Sequence, residues 1–290
     1  MRLSEALALA EQTRSNGHYA EAEALYNLIL QASPANATAM HGLSIALCQQ
    51  GQAHNDAHQA AKYYCRAIIA NQKNIKSRML LGMSYSSLGR IEEATDVYYQ
   101  WLQKEPGNPI AEHFYAACSG NNIPERASNS YIETTFDGFS SDFDEHLTGN
   151  LSYTVPQLIG DLLARNVVQQ GNLHTLDAGC GTGLCGAVLA PYSARLTGVD
   201  LSSGMLAAAQ NIELYDALIK EEISDFLFKN QHSFDMVVMA DTLIYFGSLK
   251  RIFSATSHAL NTGGLFIFSV ENNRECEQKT DSQLNYNGRY

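Results

Sequence analysis

The chain has 290 residues, 45% of them hydrophobic, enough for about two domains with cores of their own. Its net charge of -11 is uneven: residues 1–120 carry nine Lys and Arg against ten Asp and Glu, residues 121–290 ten against twenty, so about -1 and -10. The acidic second half argues against binding nucleic acid or an anionic membrane, which needs clustered Lys and Arg. The lack of an apolar run near ~20 residues, with acids in the opening stretch, leads us to expect a soluble, cytoplasmic protein.

From the start of the chain, a repeat organises residues 1–120. Gly17, Tyr19, Ala22, Tyr26 and Pro34 are echoed by Gly89, Ile91, Ala94, Tyr98 and Pro106 at identical spacings, with Gly51, Ala60, Tyr64 and Ala67 as a middle copy. The middle copy carries four extra residues between its glycine and its alanine, about one helical turn, which are expected to lengthen a helix-helix corner. Small residues (Ala22, Ala60, Ala94, Gly82) suit closely approaching helices, and Tyr26, Tyr64, Tyr85 and Tyr98 suit the gaps between them. These residues resemble the tetratricopeptide repeat, in three units closed by a capping helix within "PIAEHFYAAC". The resemblance implies an α-helical array that grips a protein or peptide partner in its groove; the alternative is a structural appendage. The groove places where carboxylate-clamp members of that family carry Lys, Asn and Arg read Leu7, Glu11, Gly42, Lys76 and Leu80. Only Lys76 fits, so capture of a C-terminal carboxylate is not expected. His54 and His58 lie four apart with Asn55 between them, and surface histidines are the reading preferred over a metal site. The six cysteines include no C-x-x-C pair, so reduced thiols and no zinc ribbon are expected.

The polar stretch "SGNNIPERASNS" (119–130) reads as a linker, with 121–130 as the divide. Beyond it, short apolar runs alternate with helical ones. Strands are expected at 174–179, 195–201, 216–222, 234–241 and 264–270, and helices near 184–190, 203–212, 224–230 and 248–260. Such alternation implies a parallel, doubly wound α/β sheet that binds ligand beyond the carboxyl ends of its strands. "LDAGCGTGLCG" (176–186) then falls in the loop from the first strand to its helix, with four glycines following Asp177. Asp200 ends the next strand 17 residues after Gly183, where a carboxylate can accept both hydroxyls of a ribose. A carboxylate at position 177 would repel a pyrophosphate yet suits a ligand bearing an ammonium and a sulfonium, and this favours S-adenosylmethionine over a dinucleotide.

The segments "LDAGCGTGLCG", "LTGVDLSSGML", "FDMVVMADTLIYFG" and "NTGGLFIFSVE" resemble successive motifs of class I S-adenosylmethionine-dependent methyltransferases, a Rossmann-like family. Residues 131–159 resemble the cap of bacterial methyltransferases that also carry tetratricopeptide repeats. The resemblance implies that Asp177, Gly179, Cys180, Gly181 and Gly183 hold the methionine end, Asp200 the ribose, and Leu201 and Met205 the adenine. Glu222, with Asp225 as fallback, would stand near the adenine amino group, and Ala240 and Asp241 at the fourth strand end. Tyr131, Phe139 and Phe143 would close over the site.

Methyl transfer needs a base only when the acceptor arrives protonated, and His146, Asp241, Tyr245 and Glu271 are the unranked candidates. The acceptor is a small molecule or a recruited protein; a noncatalytic module that senses the methyl donor stays open beside the enzyme. "DTLIY" lacks the Asn/Asp-Pro-Pro turn of amino-methylating nucleic-acid enzymes. Only 20 polar residues follow Val270, whereas the family usually adds a helix and two strands there. A five-stranded sheet in order 3-2-1-4-5 is therefore expected, with its apolar fifth strand covered by the tail or by a second chain in a dimer.

Overall fold

A computed structural model describes residues 2–53, 57–71, 77–139, 153–271 and 284–290, leaving aside the side chains of residues 57–60 and 139. The chain divides into two compact units, Met1–Asn121 and Asn122–Tyr290. No described helix is long and apolar enough to cross a membrane.

The first unit consists, among the described residues, of seven helices: α1 (Leu3–Ser15), α2 (Tyr19–Ala32), α3 (Ala37–Ala53), α4 (Ala57–Ala70), α5 (Arg78–Ser87), α6 (Ile91–Lys104) and α7 (Pro109–Ser119). Gly17 and Gly89 close the α1–α2 and α5–α6 turns at φ 86° and 74°, a left-handed conformation that side chains resist. Ala22, Ala94, Tyr26, Tyr85 and Tyr98 are buried, as their spacing implies.

The middle copy departs from expectation in two ways. Gly51 is buried inside α3, which runs on to Ala53 because Gln50 is anchored to α2: its Nε2 donates to Glu23 Oε2 at 2.8 Å. The extra residues thus extend a helix at least that far, and 54–56 lie outside the described residues, as do Lys76 and the side chain of His58. Tyr64 is 39% exposed, while Tyr63, 100° away around the helix, packs with Ala67 and Ala70 on the core. Helix α7 is specified locally: Asn108 accepts from the amides of Ile110 and Ala111, Pro109 occupies the first turn, and Gly120 ends it at φ 70°. Its Phe114 stacks on Tyr98 with ring centroids 5.3 Å apart.

Two glycine-tyrosine contacts set how closely these helices approach. A Cβ on Gly42 would lie 2.4 Å from the Tyr26 ring, and one on Gly82 2.3 Å from the Tyr98 ring. In an isolated helix Gly to Ala gains about 1 kcal/mol. Here the buried ring must move, and overpacking of this kind costs about 1–3 kcal/mol. Gly82→Ala should therefore lower the stability of the first unit in chemical denaturation; a rise in the midpoint would mean that the ring is free to shift.

The second unit is a parallel sheet in the order β3-β2-β1-β4-β5, the order expected. Its strands are β1 (Leu173–Ala178), β2 (Ser193–Asp200), β3 (Ala217–Lys220), β4 (Phe234–Met239) and β5 (Leu260–Phe268). Helices α8 (Asn129–Phe139) and α9 (Val155–Asn166) precede β1; α10 (Gly186–Leu189), α11 (Ser203–Gln210), α12 (Ile223–Lys229) and α13 (Lys250–Ala259) connect the strands. The central strands are buried on both faces, and Leu176, Val199, Val237 and Met239 pack with Ile252 and Leu227 in one core cluster. Because all strands run parallel, their carboxyl ends share one side of the sheet.

One sequence reading needs correction. From Asn122 on, the stretch taken as a linker is part of the second unit: Gly247 N donates to Glu125 O at 2.9 Å and Ala127 N to Tyr245 O at 2.9 Å. The tail or a second chain was expected to cover β5; of the tail, only residues 284–290 are described. Tyr290 N donates to Ile244 O at 2.8 Å and its hydroxyl to Pro124 O at 2.6 Å, which ties the chain to the turn after β4. On β5, Leu265 and Phe268 remain 39% and 43% exposed.

Candidate active site

The carboxyl ends of β1, β2 and β4 open into a cleft lined by residues of the second unit alone. Asp177 stands at the end of β1 and is 1% exposed. Gly179 and Gly181 follow at φ 80° and 54°, so the loop turns through conformations that a side chain would strain. A Cβ on Gly179 would lie 2.4 Å from Thr242 Oγ1, whose hydroxyl is fixed by the carbonyls of Ala178 and Ala240. Asp200 ends β2 and ties two segments together: Oδ2 accepts from Gly181 N at 2.9 Å, Oδ1 from Ser202 N at 2.8 Å.

The glycines of this loop serve two purposes that the sequence did not separate. Gly179 and Gly181 face the cleft, whereas Gly183 does not line it and Gly186 packs below it. A Cβ on Gly183, Gly186 or Gly198 would come 3.0–3.1 Å from the ring of Tyr215. That ring sits in a cradle of three glycines, and its hydroxyl donates to Asp177 Oδ2 at 2.7 Å. Thus Gly183 and Gly186 of this loop, with Gly198 on β2, serve to seat a tyrosine under the acid. Nothing in the local sequence around Tyr215 signals this role.

Burial raises the Asp177 carboxyl from 3.8 to about 7, with the charge of Asp200 adding to the rise and the Tyr215 hydrogen bond opposing it. Asp200 is also raised by burial, against the pull of the Ser202 and Gly181 amides. Two desolvated acids therefore face one cleft, and a cationic ligand would relieve both. Cys180 and Cys185 lie in the same wall, where burial pushes their thiols up and leaves them unreactive at neutral pH.

Of the other residues singled out from sequence, Leu201, Met205, Glu222, Ala240, Asp241 and Tyr245 line the cleft. Glu222 spends one oxygen on the N-terminus of α12, accepting from Asp225 N at 2.9 Å. The fallback Asp225 is exposed, pairs with Arg251 and is not in the cleft. Tyr131 is buried but does not line it; on the same helix Ile132 and Phe136, four apart, do. Glu271 reaches the site only through Arg289, with which it pairs. Phe143, His146 and the side chain of Phe139 lie outside the described residues. Sequence reasoning missed Arg126, Phe136, Tyr153, Tyr215 and Arg289, since all come from the cap, the presumed linker, the tail or an unmarked loop.

Asp241 has the unusual φ of 50°. Ser269 Oγ accepts from its amide at 2.7 Å and donates to its Oδ1 at 2.7 Å, and Tyr153 also bonds its carboxylate. A non-glycine residue held in this region costs of order 1–3 kcal/mol and persists where its surroundings enforce it, often at functional sites.

The family described as methyltransferase domain matches residues 176–268, from β1 to the last residue of β5. Ubiquinone biosynthesis O-methyltransferase of Coxiella burnetii is 31% identical over 121 residues, 40% of this chain and 52% of the relative. Human methyltransferase-like protein 27 is 34% identical over 121 residues, 40% of this chain and 47% of the relative. The chain thus spans about half the length of the curated relatives it matches. An S-adenosylmethionine-dependent methyltransferase structure from Mesorhizobium loti superposes with a TM-score of 0.35 at 28% identity, over 43% of this chain and 55% of that one. The segment matched by the family, 176–268, contains Asp177, the glycine loop, Asp200 and Asp241, but none of the first unit.

Proposed function

We propose that this protein is an S-adenosylmethionine-dependent methyltransferase whose first unit, read as three tetratricopeptide repeats and a capping helix, binds a protein or peptide partner. The observation that carries the reading is the pair of desolvated acids, Asp177 buried and Asp200 half-buried, at the ends of β1 and β2 around a glycine loop. Such acids fit an ammonium, a sulfonium and a ribose, and would repel a pyrophosphate.

When bound, the donor supplies a methyl group already activated by a positive sulfur. Asp177 and the backbone of Gly179, Cys180 and Gly181 would hold its amino-acid end, Asp200 its ribose, and Leu201, Met205 and Glu222 its base. Ile132 and Phe136 on α8 give the cleft apolar surface, and water displaced from it by a bound donor would strengthen the electrostatic contacts there. Alignment then supplies much of the rate. For a protonated acceptor, Asp241 is the carboxylate available to take the proton, with Ser269 and Tyr153 fixing its orientation.

Calorimetry should detect binding of S-adenosylmethionine or S-adenosylhomocysteine and none of NAD. A fragment starting at Asn122, which retains the stretch at 124–127 bound to Tyr245 and Gly247, should keep that affinity. Methyl-labelled donor incubated with cell extract should deliver label to small solutes or to macromolecules. Binding of NAD in place of the donor would overturn the reading, and donor binding without turnover would leave a sensor rather than an enzyme.

A further inference from the structure

The turn that follows β4 is a meeting point for two segments more than 160 residues apart. On one side Arg126 forms an antiparallel bridge with Phe246, held by the hydrogen bonds of Glu125 and Ala127 to residues 245–248. On the other, Tyr290 is bonded to Ile244 and to Pro124. Both attachments bring a guanidinium, of Arg126 and of Arg289, to the wall of the cleft that contains Tyr245.

We propose that Arg126 recognises the methyl acceptor, with the Glu271-paired Arg289 beside it, and that the acceptor is a small molecule with a carboxylate beside an aromatic or apolar body. This rests on the methyltransferase reading above. The acids nearby are already engaged: Glu271 pairs with Arg289, and Asp241 is bonded to Ser269 and Tyr153. Among the described residues, Arg126 donates to neutral oxygens, those of Ala127 and the Asn129 side chain. A partly buried guanidinium with neutral partners keeps its charge for a ligand, and its planar fork suits a carboxylate in bidentate geometry. The surroundings fit the rest of such a molecule. Phe136 meets Tyr245 edge-on at 5.7 Å, and Ile132, Ile244 and Phe246 complete an apolar wall. An anionic acceptor is also attracted to a sulfonium in a site that excludes water.

The test uses the full chain saturated with S-adenosylhomocysteine, titrated with benzoate and phenylacetate and, in parallel, with benzamide and phenylacetamide. The acids should bind about tenfold or more tightly than the amides, the scale of one hydrogen bond to a charged group. Arg126→Gln should abolish that preference while binding S-adenosylhomocysteine as the wild type does. Equal binding of acids and amides, or binding of neither by the loaded protein, would overturn the proposal. The wild-type comparison decides this even if a variant fails to fold. Failure to bind S-adenosylhomocysteine at all would instead overturn the methyltransferase reading.

Discussion

Asp177→Asn should make the free protein more stable at pH 7.5 and at the same time cost it most of its affinity for the methyl donor. The two effects share one cause. An acid raised from 3.8 to about 7 by burial is held more comfortably protonated in the folded chain than in the unfolded one. The folded state therefore binds the extra proton between about pH 4 and pH 7, and this stabilisation is lost as the pH rises through that window. The shift of about three pKa units corresponds to roughly 4 kcal/mol. Asparagine, neutral throughout, removes the penalty, so melting curves of wild type and variant should converge near pH 4 and separate towards pH 7.5. Donor binding has the opposite sign. A cation prefers the ionised carboxylate, so affinity should rise about tenfold per unit up to about pH 7 and fall again as the donor's α-amino group deprotonates near pH 8. In the variant that rise should vanish, with a loss of about 2–5 kcal/mol at pH 7.5, the range for truncating one partner of a buried charge pair. Tyr215→Phe removes the hydrogen bond that opposes the shift, so its affinity profile should move to higher pH. A variant with unchanged affinity and an unchanged profile would remove Asp177 from the cation site.

Asp200→Ala should weaken donor binding by about 1.5–3 kcal/mol, or roughly 10- to 150-fold, and destabilise the free protein as well. The second effect follows because Asp200 is the acceptor for both Gly181 N and Ser202 N, and each amide left without one costs about 1–3 kcal/mol. Asp200→Asn separates the roles. One side-chain oxygen remains to accept an amide, so part of the stability returns, while the ability to accept two ribose hydroxyls does not. Calorimetric affinity and thermal midpoint measured together on both variants check this. Wild-type affinity in a folded Asp200→Asn protein would show that Asp200 holds the loop and not the ligand.

The sequence by itself determined what depends on short-range pattern. Alternating apolar runs and helical stretches led to the five strands, and the family resemblance to their observed order. The repeat spacing of Gly17 and Gly89 marked two helix turns, because left-handed backbone selects glycine wherever it occurs. The acids at strand ends were legible for the same reason: parallel topology sends every strand's carboxyl end to one side, so Asp177, Asp200 and Asp241 had to share it. Tertiary structure alone decided which residues join them from elsewhere. Tyr215 reaches Asp177 across 38 residues because three separate glycines leave room for its ring, and no local pattern records a cavity shared by three segments. Arg126 and Arg289 come from stretches read as a linker and a polar tail, and only hydrogen bonds to the turn at 244–248 bring them together. The middle repeat failed for a related reason: one residue turns a helix by 100°, so the choice between Tyr63 and Tyr64 for the core rests with the helices that pack around them.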